Sequence, residues 1–177
     1  MQDYLKDIVQ HTHGLGTIDL VKVTGTDTET RVIALAEDKT VVVDAVFKNA
    51  HPDFIGTFGM PNLSKLNTIL GIPEYKEDAK LSITKQDRNG ESVPVGIHFE
   101  NKVGDFKNDY RFMTAEIIND KLKNQKMRPV KWNVDFAPTV QNIQRLRFQA
   151  SANSEETTFT AKTENGDLKF FFGDHAS

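Results

Sequence analysis

Along the chain, apolar residues recur in two rhythms, every second position or every third to fourth, and the two rhythms alternate. Residues 18–23, 30–35, 41–47 and 54–58 are rich in β-branched and aromatic side chains and are parted by the turn-forming segments 24–27 and 49–53, a pattern that predicts four strands. The period then changes. Leu63, Leu66, Ile69 and Leu70 fall on one helical face, with Pro61 opening the segment and Gly71 closing it. A hairpin is expected next: Leu81 and Ile83 alternate with Ser82 and Thr84, residues 87–90 (Asp-Arg-Asn-Gly) make the turn, and Val93, Val95, Ile97 and Phe99 alternate on the way back. Pro94 within that run predicts an edge position or a bulge.

The pattern then recurs. Val140, Ile143 and Leu146 stand where the earlier helix has Leu63, Leu66 and Ile69, each pair 77 positions apart, as are Pro61 and Pro138. A hairpin again follows, residues 158–161 and 168–172 around the turn Glu164-Asn165-Gly166-Asp167, and residues 131–136 are expected to form the strand before the helix, as residues 54–58 do in the first copy. A fainter copy opens the chain, where Leu5, Ile8 and Val9 precede a hairpin over residues 17–35. One helix with one hairpin cannot bury its own apolar face, whereas paired units can join strands edge to edge and set both helices on one side. The expected fold class is therefore α+β, with antiparallel sheets and helices on one face. Residues 119–129 are polar and read as a linker, which gives a first domain over residues 1–115, a connector over 116–128 and further structure over 129–177.

Composition narrows the function classes. With 38% hydrophobic and 27% charged residues the chain has the balance of a soluble globular protein. No apolar run approaches the roughly 20 residues that span a bilayer, and the acid-bearing N-terminus lacks the apolar region of a signal peptide, so no membrane partner and a cytoplasmic location are expected. Absence of cysteine removes disulfides, thiol catalysis and thiolate metal sites together. A net charge of −3 argues against a protein that grips nucleic acid through a generally basic surface. It leaves room for one that surrounds DNA with a local basic lining.

Little in the sequence carries catalytic chemistry. No phosphate-binding G-x-x-x-x-G-K-[ST] or G-x-G-x-x-G turn occurs, nor a G-x-S-x-G elbow, and no cofactor is implied. Among the five histidines, His11-Thr12-His13 and His51 could supply ligands to a small metal-dependent hydrolase, a reading that needs about three of them to converge.

The segment Phe58-Gly59-Met60-Pro61-Asn62-Leu63-Ser64-Lys65-Leu66-Asn67-Thr68-Ile69-Leu70 resembles the second helix of the DNA sliding clamps of large tailed bacteriophages. Ile97-His98-Phe99 through Tyr110-Arg111-Phe112-Met113-Thr114-Ala115 is similar to the closing strands of their first domain, and residues 140–148 to the first helix of their second. The resemblance implies a non-enzymatic polymerase processivity factor that self-associates into a ring around duplex DNA, with sheets outside and helices lining the hole. It also implies partners: a DNA polymerase, and a clamp loader that opens the ring with ATP. The side chains that would face DNA are Lys6, Lys65 and, on a face read as opposite Ile143, Asn142, Arg145 and Gln149. Partner peptides would dock near the connector, in a groove of Ile117, Ile118, Leu122, Met127 and Pro129; the alternative for Ile117 and Ile118 is packing beneath the linker. Two clamp domains need four units, and three are counted, so the second domain is expected to be incomplete and to favour self-association. The chief alternative from another class is a self-associating scaffold that keeps clamp-like units without encircling DNA.

Overall fold

The computed structural model describes residues 1–88, 90–123 and 129–173. The chain divides into two compact units, Met1–Lys126 and Met127–Ser177.

Unit 1 begins with α1 (Gln2–His11), whose spacing turns Leu5, Ile8 and Val9 to one buried side. Strands β1 (Leu20–Gly25), β2 (Thr30–Leu35) and β3 (Val42–Val46) form an antiparallel meander, and β4 (Gly56–Pro61) adds to the other edge of β1, giving the order β3-β2-β1-β4. Helix α2 (Leu63–Leu70) follows and buries Leu63, Leu66, Ile69 and Leu70. A second antiparallel sheet comprises β5 (Lys80–Arg88), β6 (Glu91–Glu100) and β7 (Lys107–Arg111) in that order. The two sheets meet where Gly59 and Met113 exchange backbone hydrogen bonds of 2.9 and 2.8 Å.

The period-two pattern decides what lies inside. Val21 and Val23, Val32 and Ala34, and Phe58 and Met60 of the first sheet share one core with Ile97, Phe99 and Tyr110 of the second, and the apolar sides of α1 and α2 close it. The two helices pack against each other as well as on the sheets. Unit 1 is thus an α+β structure with antiparallel sheets and a helix pair over their shared core. The irregularity expected at Pro94 is present: Thr84 pairs with Gly96 and Lys85 with Pro94, so Val95 is the extra residue of a bulge.

Three expectations need correction. Pro61 does not open α2. It is the last residue of β4, and the helix is capped by Asn62, whose side chain accepts a hydrogen bond from the Lys65 N–H at 3.1 Å. The segment 116–128 is not all connector, because residues 115–121 form helix α3 (Ala115–Lys121). Its i,i+4 pair Ile118 and Leu122 is buried, Ile118 against the face of β4 opposite Phe58 and Met60, where Gly59 leaves room. A Cβ at Gly59 would stand 2.9 Å from Ile118 Cδ1. Finally, residues 131–136 form no strand. β4, the equivalent segment of unit 1, is held by β1; residues 131–136 pair with no strand among the described residues.

Unit 2 consists of α4 (Val140–Ala152) and the hairpin β8 (Phe159–Glu164) and β9 (Asp167–Phe172). The repeat reaches its capping chemistry. Thr139 stands 77 residues after Asn62, and its hydroxyl accepts from the Asn142 N–H at 3.1 Å just as Asn62 accepts from Lys65. Both hairpin turns place a glycine at positive φ, Gly90 at 84° and Gly166 at 87°.

Candidate functional site

Helices α1 and α2 each carry a row of exposed polar residues off the core. On α1 these are Asp3, Lys6, Asp7 and Gln10; on α2 they are Ser64, Lys65, Asn67 and Thr68, all exposed. Between the helices runs a shallow hollow of about 440 Å³, bounded by Lys6, Gln10, His13 and Asn67 and floored by Val9 and Leu70. Lys6 has no ion-pair partner among the described residues, while Asp7 is engaged by His11 at 3.2 Å. Two lysines and two aspartates leave this face close to neutral.

Lys6 therefore lies on the shared helix face. Lys65 sits on the flank of α2 turned away from α1, and its Nζ reaches the Asp109 carbonyl oxygen at 3.5 Å. Asn67 holds the flank toward α1 instead. In unit 2, Asn142, Arg145 and Gln149 are exposed. They border, with Ile143 and Leu146, a hollow of about 440 Å³ whose other walls include Phe136, Leu168 and Phe170. At 100° per residue Asn142 lies about 40° from Leu146, so the polar row borders the apolar face at Leu146.

The five residues expected to form a partner groove are not brought together. Ile118 and Leu122 are buried in unit 1, Ile117 is half exposed, Pro129 is exposed in unit 2, and Met127 lies outside the described residues. A larger hollow of about 640 Å³ opens near the start of α3, between Gly96, Arg111, Phe112, Ala115 and Glu116.

Nor do the three histidines converge. His11 Nδ1 meets the Asp7 carbonyl oxygen, His13 Nδ1 lies 3.8 Å from Asp19, and no group of three potential metal ligands occurs among the described residues. His51 is buried in an aromatic cage, stacked on Phe54 at 4.6 Å and edge-on to Tyr4 at 4.7 Å, with Nδ1 accepting from the Asp53 N–H. Burial first, and then the N-terminal ammonium, hold its pKa below the usual histidine value, against the opposing pull of Asp53. The sign follows. Unfolding lets His51 take up a proton that the folded protein refuses, so stability is full above the ordinary histidine pKa of about 6.5 and falls as pH drops through it. Urea unfolding between about pH 7.5 and 5 should show this loss, and His51→Phe should flatten it. An unchanged slope in that variant would take His51 out of the acid response.

No protein-family model matches the chain, and no curated protein matches it either. The case for a function rests on the geometry and the sequence pattern. No helix among the described residues is long and apolar enough to cross a membrane.

Proposed function

We propose that the chain is a DNA sliding clamp, a processivity factor that tethers a DNA polymerase to the duplex and performs no chemistry of its own. The observation that carries this reading is the helix pair. α1 and α2 lie side by side over one core, on antiparallel sheets joined at Gly59 and Met113, and each helix is followed by its own strand meander. The repetition of the Asn62 cap at Thr139 extends the same plan into unit 2. Such a plan sets polar helix faces toward the hole of a ring built by self-association. A nearly neutral lining around Lys6, Gln10 and Asn67 makes many weak, water-bridged contacts with duplex DNA and so permits sliding. A clamp loader opens the ring, and the polymerase docks by a peptide in the hollow at the start of α3, in place of the groove expected from the connector.

Retention on DNA tests the reading. Loaded by its loader with ATP, the protein should stay on closed circular duplex and run off a linear one, and Lys6→Glu should shorten its residence severalfold. Lys6 is an exposed helix position, so stability should change by no more than about 0.5 kcal/mol. The exposed apolar side chains of unit 2 favour one rival, a scaffold that self-associates without DNA. Equal retention on the two DNA forms would select that rival.

A further inference from the structure

The apolar side of α2 is covered and that of α4 is not. Leu63 and Leu66 are 0% exposed, whereas Val140 and Ile143, their counterparts 77 residues on, are 74% and 47% exposed. In unit 1 the cover is α1, an amphipathic helix whose Leu5, Ile8 and Val9 enter the same core as Leu63 and Leu66, while its Asp3 and Asp7 stay exposed. In unit 2 the matching place is the hollow of about 440 Å³ between α4 and β9, walled by Phe136, Ile143, Leu146, Leu168 and Phe170. Among the described residues on that wall, Arg145 is the one that carries a charge. The whole helix is charged one way. Between Asp135 and Glu155 the chain holds Arg145 and Arg147 and no acid. Neither arginine has an ion-pair partner among the described residues, and Glu164 of the hairpin is taken up by Lys169 at 2.6 Å.

We propose that unit 2 docks an acidic amphipathic helix of a partner protein, which lies on α4 and β9 as α1 lies on α2. The occupant is a helix because the equivalent trough beside α2 is filled by one. It is acidic because of the two arginines. Arg145 stands on the wall of the hollow, and Arg147 is one helical turn from Ile143, so carboxylates on the flank of a seated helix can reach both. A second copy fits poorly: α4 against α4 would set these arginines on one another, and α1 already has its apolar side buried in unit 1. Area sets the kind of contact. Phe136, Phe159, Phe170 and Ile143 are between 36% and 54% exposed and offer on the order of 350 Å² of apolar surface, taking about 200 Å² for a whole phenylalanine. With somewhat over half of an interface apolar, that is about 600 Å² from each partner and about 1,200 Å² in all, the size of a transient contact and not of an obligate one. The proposal goes beyond the clamp reading and does not rest on it, since the faces of α1 and α2 assigned to DNA take no part.

The probes are two synthetic peptides of about four helical turns, held helical by a side-chain staple. Both carry leucines at i, i+3, i+4 and i+7, and either glutamate or lysine at the flanking positions. Fluorescence anisotropy with the full-length chain should give a dissociation constant on the order of 10 µM for the glutamate peptide and at least about tenfold weaker binding for the lysine peptide. Arg145→Glu together with Arg147→Glu should invert that preference, which a merely apolar patch would not do. Ile143→Glu should weaken the glutamate peptide at least about tenfold. All three positions are exposed on α4, and circular dichroism checks that each variant keeps the fold. Equal affinity for the two peptides, no binding of either at about 1 mM, or a preference that survives the arginine changes would overturn the proposal. So would an affinity that drops as the chain concentration is raised, because a second copy would then hold the face.

Discussion

Replacing Gly25 by alanine should cost unit 1 about 4 kcal/mol or more, among the largest losses a single methyl can cause. Gly25 ends β1, paired with Thr30 on one side and Gly56 on the other. A Cβ built there would lie 1.4 Å from the carbonyl oxygen of Phe54, and the obstacle is backbone, not the free end of a side chain. Phe54 cannot retreat cheaply. It is fully buried, stacked on His51, and edge-on to Phe58 with ring centres 5.9 Å apart. The measurement is a urea titration, in which the midpoint should fall with the slope unchanged. Gly16→Ala is the control: Gly16 has φ of 82° and nothing near its Cβ position, so only the left-handed backbone is penalised, at about 1 kcal/mol. If Gly25→Ala unfolds within about 0.5 kcal/mol of the parent, the close approach of β1 to Phe54 does not exist.

That contact also marks the limit of what the sequence reveals. Helices α1 and α2 and strand β2 were legible because each has one wet and one dry side, and the period shows which residues go where. Leu5, Ile8 and Val9, and the four apolar residues of α2, were assigned to the core and are there. The 77-residue repeat was legible for the same reason, down to the helix starts. Period cannot supply partners, however. Residues 131–136 have the composition of a strand, but a strand exists only beside another edge, and none takes them up among the described residues. Gly25 and Gly59 look like ordinary loop-ward or flexible residues until the structure puts Phe54 and Ile118 against them. The same blindness affected the candidate site. Ile118 and Leu122 stood in a polar neighbourhood and were assigned to a groove, whereas the short helix that joins them carries both inward. Lys6 could be placed from the wheel alone; which flank of α2 faces α1, and hence Asn67 over Lys65, could not.

Phe58→Ala should cost about 3–5 kcal/mol, the usual range for removing a buried phenylalanine, and its consequences should spread across both sheets. Phe58 belongs to β4, in the first sheet, but its ring is stacked at 4.3 Å on Phe112, which follows β7 of the second. Beside those two residues runs a backbone link between the sheets, the Gly59 and Met113 pair. Emptying the Phe58 site therefore removes the side-chain half of a joint and leaves the backbone half unsupported. Phe58→Leu keeps most of the volume and should lose less than half as much. Hydrogen exchange separates a local cavity from a loosened joint. In Phe58→Ala the amides of Gly59 and Met113 should lose more protection than those of Val21 and Val23, which lie deeper in the first sheet. The helix pair rests on the core that both sheets share, so on the proposed clamp reading the variant should also hold DNA less well at temperatures where it is still folded. Equal loss of protection at all four amides would mean that the sheets unfold as one and that the joint has no separate weakness.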